Sequence, residues 1–111
     1  MSKLRPGLCK SYDHALPDIT AFYSIYGAVK AQPGLCHGRL HDRCGAHCAV
    51  GSLWATHSDI TLHISLVDEV AAVNDSVPHL TNKQRRAHVL RWLRWKLQAI
   101  GMGFPGKRLR A

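Results

Sequence analysis

The last third of this chain contains no acidic residue. Asp75 is the final acid, and residues 76–111 carry nine lysines and arginines. The first 75 residues are nearly neutral, with the other six basic residues against all seven acids. Such an uneven charge distribution favours an acidic partner: a nucleic acid, an acidic protein face or an anionic membrane surface.

Long apolar segments are also missing. No uninterrupted apolar run approaches the roughly 20 residues of a membrane span. The basic start, residues 1–7, is not followed by the apolar stretch of a signal peptide. We therefore expect a cytoplasmic protein whose cysteines are reduced thiols or metal ligands rather than disulfides.

The remaining composition suits a folded domain. The chain has 111 residues, of which 46% are hydrophobic, and it shows no internal repeat. We predict a mainly α, small single domain of three to four helices with a short two-stranded β element. Its parts are a basic N-terminal lead-in at residues 1–15, the helical domain at residues 16–101 and a basic tail at residues 102–111.

Hydrophobic spacing locates the first elements. Residues 16–31 predict a helix, with Ile19, Phe22, Tyr26 and Val29 on one face, and residues 45–57 predict a second one. Residues 60–66 alternate apolar and polar, which is typical of a half-buried strand and would pair with residues 35–41. The competing interpretation is a helix that continues through residues 67–73.

The final helix has the clearest signals. Thr81 and Gln84 form a capping box, and Gly101 ends the helix. Steps of 100° per residue place the following residues on its core face: Val89, Leu90, Leu93, Leu97 and Ile100.

Residues 34–53 hold three of the four cysteines and three of the eight histidines. Four of these side chains could supply nitrogen and sulfur ligands to zinc: Cys36, His41, Cys44 and Cys48, with His37 as the alternative to His41. Against a zinc site, the spacing lacks the Cys-x-x-Cys pair of specific zinc motifs. The plainer interpretation of Cys48 is a small buried residue. No cofactor is expected, with zinc as the alternative.

Cys48 is also a candidate nucleophile. It lies near a helix start, where the dipole can lower a thiol pKa. His63 could then act as its base, and Asn74 or Asp75 could orient His63, in the order of papain-like hydrolases. A chain with this many histidines offers many such triples, so the order alone is weak evidence.

Several of these positions resemble a family of small uncharacterised domains from actinobacteria and their phages. That family has a Gly-Trp-x-x-Gly step, a Cys-hydrophobic-x-Gly-Ala-Leu helix and a later Trp-Asn-Asp before a final helix. The matching residues are Gly34, Gly38, Cys48, Gly51, Leu53, Asn74 and Asp75. Here Leu35, Ser52 and Val73 depart from the pattern. The resemblance implies no activity, but it directs attention to Cys48 with Asn74 and Asp75.

The final helix and tail supply a candidate surface for nucleic acid or an acidic protein, with cations for phosphates and Trp95 for stacking. Its predicted residues are Lys83, Arg85, His88, Arg91, Arg94, Trp95, Lys107, Arg108 and Arg110. Alternatively, the charges are simply solvated, or Trp95 packs beneath residues 1–15 or in a homodimer.

The sequence thus favours a small cytoplasmic binding protein without enzymatic activity, encoded by a phage or mobile element. The alternatives are a Cys48-centred thiol hydrolase, a structural zinc domain and an inhibitor of a host enzyme.

Overall fold

The computed structural model of the chain describes residues 8–11, 14–38 and 45–101, which form four helices and one two-stranded parallel sheet. The elements in chain order are β1 (Leu8–Cys9), α1 (Asp18–Lys30), α2 (Ala49–Thr56), β2 (Leu62–His63), α3 (Ile64–Asn74) and α4 (Asn82–Ala99). The predicted mainly α domain with a short two-stranded element is confirmed.

The helices enclose one hydrophobic core. Helix α1 packs against both α2 and α4, and α3 contacts the same two helices. Helices α1, α3 and α4 each contribute a row of buried apolar side chains at helical spacing, whereas α2 buries the five consecutive residues 49–53. The largest buried apolar residues are Phe22, Ile25, Leu35, Leu53, Leu62, Leu93 and Leu97.

Helix α4 begins where the sequence predicts. The Thr81 hydroxyl accepts the Gln84 N–H, and the Gln84 side chain accepts the Thr81 N–H, so the capping box is confirmed. Gly101 follows the helix with φ +87°, a conformation that glycine adopts at little cost. Ile100 was wrongly placed on the core face: it lies beyond the last helical residue and is exposed.

The predicted strand over residues 60–66 is wrong in extent. Only Leu62 and His63 are extended, and a helix begins at Ile64. The reason is a local cap, because the His63 ring accepts the Ser65 N–H at 3.1 Å and so starts α3. Leu66 and Val70 are then buried at a spacing of four, so the helical interpretation is correct.

The strand partner also differs from the prediction. β2 pairs in parallel with β1, with Leu8 opposite Leu62 and Cys9 opposite His63. Residues 8 and 9, assigned above to the lead-in, are therefore part of the folded domain. Leu35, in the segment expected to pair with this strand, instead bridges to His47.

The first two helices are shorter than predicted. α1 begins at Asp18 because Pro17 is its N-cap, and it ends one residue before Ala31. α2 begins at Ala49 rather than at residue 45, because Cys48 is extended and acts as the N-cap.

Gly34 is required by a close approach of two segments. A Cβ at this position would lie 2.8 Å from Asn82 Cβ and 3.0 Å from the Asn82 carbonyl carbon. The neighbouring Leu35 N–H donates to the Asn82 carbonyl at 2.9 Å, which fixes that approach. The loop after α1 is thereby attached to the start of α4.

We predict that Gly34→Ala lowers the free energy of unfolding by about 1–3 kcal/mol, because the added methyl group forces backbone apart. Urea denaturation measures this. Gly27→Ala is the matched control: it lies inside α1 with open space around its Cβ position, so it should stabilise the protein by about 0.5–1 kcal/mol. Equal effects of the two substitutions would contradict the close approach.

Candidate functional site

Cys48 is a buried helix cap. Its Sγ accepts the Gly51 N–H at 3.3 Å, and its carbonyl accepts the Ser52 hydroxyl at 2.8 Å. Burial raises the pKa of the Cys48 thiol, although backbone hydrogen bonds from Gly51 and Val50 oppose this shift. The thiol is therefore held in its neutral form, which is a poor nucleophile.

Asn74 and Asp75 lie beside this cap. The Asn74 Oδ1 accepts the Ala49 N–H at 3.1 Å, and its Nδ2 donates to the Cys36 carbonyl at 2.8 Å. Asp75 Oδ1 accepts both Asn74 Nδ2 and the Gly38 N–H, each at 2.9 Å. These bonds link the end of α3, the start of α2 and the segment around Cys36, which is a structural role.

His63 is engaged elsewhere. Its Nε2 lies 2.7 Å from the Lys10 carbonyl, and its Nδ1 lies 2.7 Å from the Ser65 hydroxyl. A carbonyl only accepts, so Nε2 carries the proton and Nδ1 is the acceptor for Ser65. With both ring nitrogens occupied, His63 is not placed to take a proton from Cys48.

The predicted zinc ligands are only partly described. His41 and Cys44 lie outside the described residues. Cys36 and Cys48 are buried and form no disulfide with the described residues, and the Cys48 sulfur serves the α2 cap. Among the residues that the structure does describe, no three His, Cys, Asp or Glu side chains form a metal-binding group.

Arg85 was assigned to phosphate binding, but it is 1% exposed. Its Nη1 donates to the carbonyls of Asn74 at 2.6 Å and Val77 at 2.9 Å. Its Nη2 donates to the carbonyls of Pro78 and Leu80, both at 3.4 Å. Asn74 is the last residue of α3, where the helix dipole favours a cation. Arg85 therefore holds the α3–α4 connection and is not available to a ligand.

The other predicted α4 residues lie mostly at the surface. Lys83, Arg91 and Arg94 are exposed, and Trp95 is 59% exposed. His88 is half-buried, with its Nε2 3.0 Å from the Ser76 hydroxyl. The predicted tail residues Lys107, Arg108 and Arg110 lie outside the described residues.

Helix α1 adds groups that the sequence interpretation missed. Arg94 Nε donates to the Tyr26 hydroxyl at 3.3 Å, and the Lys30 ammonium lies 5.8 Å from the centre of the Tyr26 ring. Arg86 Nη2 donates to the Lys30 carbonyl at 3.0 Å. We call the combined set the basic–aromatic surface: Lys83, Arg91, Arg94, Trp95, Tyr26 and Lys30.

Among the residues that the structure describes, few acids lie on the two helices that carry the basic–aromatic surface. α4 contains none, and Asp18 at the first turn is the only acid in α1. Glu69 on α3 reaches α4, but it pairs with Lys96 at 2.8 Å. Lys96 is therefore neutralised, whereas the cations of the basic–aromatic surface form no ion pair with any of the described residues.

No protein-family model matches the chain, and no curated protein or solved structure matches it either. The resemblance to actinobacterial and phage domains stays a prediction. None of the helices in the described residues is long and apolar enough to cross a membrane.

We predict that Cys48 reacts slowly with Ellman's reagent in the folded protein, because burial keeps its thiol protonated. The test uses Cys9→Ser, Cys36→Ala and Cys44→Ser together, so that Cys48 is the only thiol. Labelling at neutral pH should be at least about tenfold slower in the folded protein than in urea, because burial favours the protonated thiol and also limits access of the reagent.

The raised pKa of Cys48 also makes the free energy of unfolding depend on pH. The folded state holds the Cys48 proton more tightly than the unfolded state does. The stability that this tighter proton binding contributes is fully present below the ordinary thiol pKa. It is lost as the pH rises through the pKa of Cys48 in the folded state. If labelling at mildly acid pH is faster in the folded protein than in urea, this account is contradicted. That result would indicate a reactive Cys48 thiolate.

Proposed function

We propose that this protein binds nucleic acid through the basic–aromatic surface. The observation that carries the proposal is the arrangement of Lys83, Arg91 and Arg94, which are exposed along a helix without a single acid. Closely spaced cations displace counterions condensed on a phosphate backbone, and this release drives non-specific binding. The whole chain has a formal charge of +8, which supports attraction over longer distances.

The arrangement of α1 supports the same function. Lys30 and Arg94 both contact Tyr26, so the two helices present cations next to one another. Guanidinium groups suit phosphate oxygens because their N–H donors form a planar fork. The Tyr26 contact restricts the Arg94 side chain, so less conformational entropy is lost when it binds a phosphate.

A thiol hydrolase is not proposed. Cys48 serves as a helix cap, Asn74 is a structural link and His63 caps α3, so each candidate residue already has a structural task. An acidic protein partner would use the same cations, and it becomes the better candidate if the chain does not bind nucleic acid.

We predict that binding of a fluorescently labelled oligonucleotide weakens steeply with salt. Lys83→Gln and Arg91→Gln should each reduce the slope of log affinity against log salt by about 0.7–0.9, the value of one lost phosphate contact. Fluorescence anisotropy over a sodium chloride series measures the slope. Both variants remove one positive charge, so a difference between their salt slopes reports the effect of the position of that charge.

Lys10→Gln is the matched control, because Lys10 is an exposed cation that follows β1 and lies outside α1 and α4. It should leave the slope unchanged. A control variant that lowers the slope as much as Arg91→Gln would show that only net charge matters. Absence of binding at about 10 mM salt, where screening is weak, would overturn the proposal and leave an acidic protein as the better partner.

A further inference from the structure

Trp95 is more exposed than the other large hydrophobic residues on the described surface. It is 59% exposed, whereas Tyr23, Val77 and Ile100 are each 39% exposed. A tryptophan in water leaves a large apolar area unburied, and such rings are enriched where a partner binds. The exposed Trp95 ring is therefore a candidate contact for a binding partner.

The Trp95 ring packs against a second tryptophan, Trp92. Trp95 lies against Trp92, with ring centres 6.4 Å apart and planes tilted by 43°. Trp92 in turn packs edge-on against buried Phe22 at 5.8 Å. Trp92 thus holds Trp95 at the surface, and the tilt leaves part of the Trp95 ring uncovered.

Two exposed arginines lie near Trp95 along α4. Arg91 lies one helical turn before Trp95 and so shares its side of the helix, and Arg94 precedes Trp95 by one residue, about 100° round the helix. Both arginines are exposed. Lys96 does not belong to this group, because its ammonium bonds Glu69 at 2.8 Å and lies 5.8 Å from the centre of the Trp92 ring.

We infer that the basic–aromatic surface selects single-stranded nucleic acid, with an unpaired base stacked on Trp95 and the adjacent phosphates on Arg91 and Arg94. This inference rests on the proposed function and names its substrate class. A base inside a duplex has both faces covered by its neighbours, so it cannot stack on a side chain. A single strand offers base faces and phosphates together. Every base has such a face, so little sequence preference is expected.

The test compares a single-stranded oligodeoxythymidine of about 16 nucleotides with a duplex of the same length, using the full chain at low salt. Trp95→Ala should weaken single-strand binding by about tenfold or more, the usual loss of one base–aromatic stack. Trp95→Phe keeps an aromatic face and should restore most of the affinity. The duplex affinity should change by less than about twofold, since no stack is lost there.

Ile100→Ala is the matched control, because it removes an exposed apolar side chain just beyond α4. It should leave single-strand affinity unchanged. A second readout is fluorescence: the oligomer should quench the wild-type protein more strongly than the Trp95→Phe variant. An oligouridine arm distinguishes RNA from DNA, and binding of either supports the inference.

Three outcomes would overturn the inference. The first is tighter binding of the duplex than of the single strand by the wild type, and the second is an equal loss on both after Trp95→Ala. In both cases a salt slope that depends on Arg91 would leave the proposed function standing. The third is no binding of any oligonucleotide at low salt, which would remove the proposed function as well.

Discussion

The hydrogen bonds of Asn74 connect most of this fold. Its side chain bonds the first N–H of α2 and the Cys36 carbonyl, while its own carbonyl accepts the buried guanidinium of Arg85. One residue at the end of α3 thus meets α2, α4 and the segment after α1. Groups at helix ends have no partners within their helix and are costly to bury unpaired. Asn74 and Arg85 resolve that problem at the start of α2 and at the end of α3, so the packing of the helices depends on them.

The structural junction and the proposed binding surface occupy different parts of one small domain. Residues 34–53, with their many thiols and imidazoles, look like a reactive centre in sequence. In the structure Gly34 permits a close contact with Asn82, and Cys48 caps a helix. α4 divides in the same way. Arg85 on the inner side is enclosed by carbonyls, whereas Arg91 on the outer side faces solvent. Two arginines of one helix therefore have different environments, which side-chain chemistry alone does not reveal.

Features that depend on residues close together in the sequence were predicted correctly, whereas contacts between distant segments were not predicted. The Thr81–Gln84 capping box and the Val89, Leu93, Leu97 row depend on residues three or four apart, so both were predicted. Arg85 stands four residues before Val89 and continues that row, but its charge directed the prediction toward solvent. The strand was misjudged because the His63 cap, a two-residue contact, decides where α3 begins. Pairing of β1 with β2 joins segments more than fifty residues apart in sequence and leaves no local pattern. The place of Tyr26 and Lys30 beside α4 follows only from the packing of α1 on α4.

Urea denaturation of Asn74→Ala tests the central claim most directly, because the substitution leaves the Ala49 N–H and the Cys36 carbonyl without their partner. The account predicts a loss of about 3 kcal/mol in the free energy of unfolding, as expected for buried polar groups left unpaired. Gln98→Ala, an exposed change on α4, should stay within about 0.5 kcal/mol of the wild type. An Asn74→Ala protein as stable as the Gln98→Ala control would contradict the account.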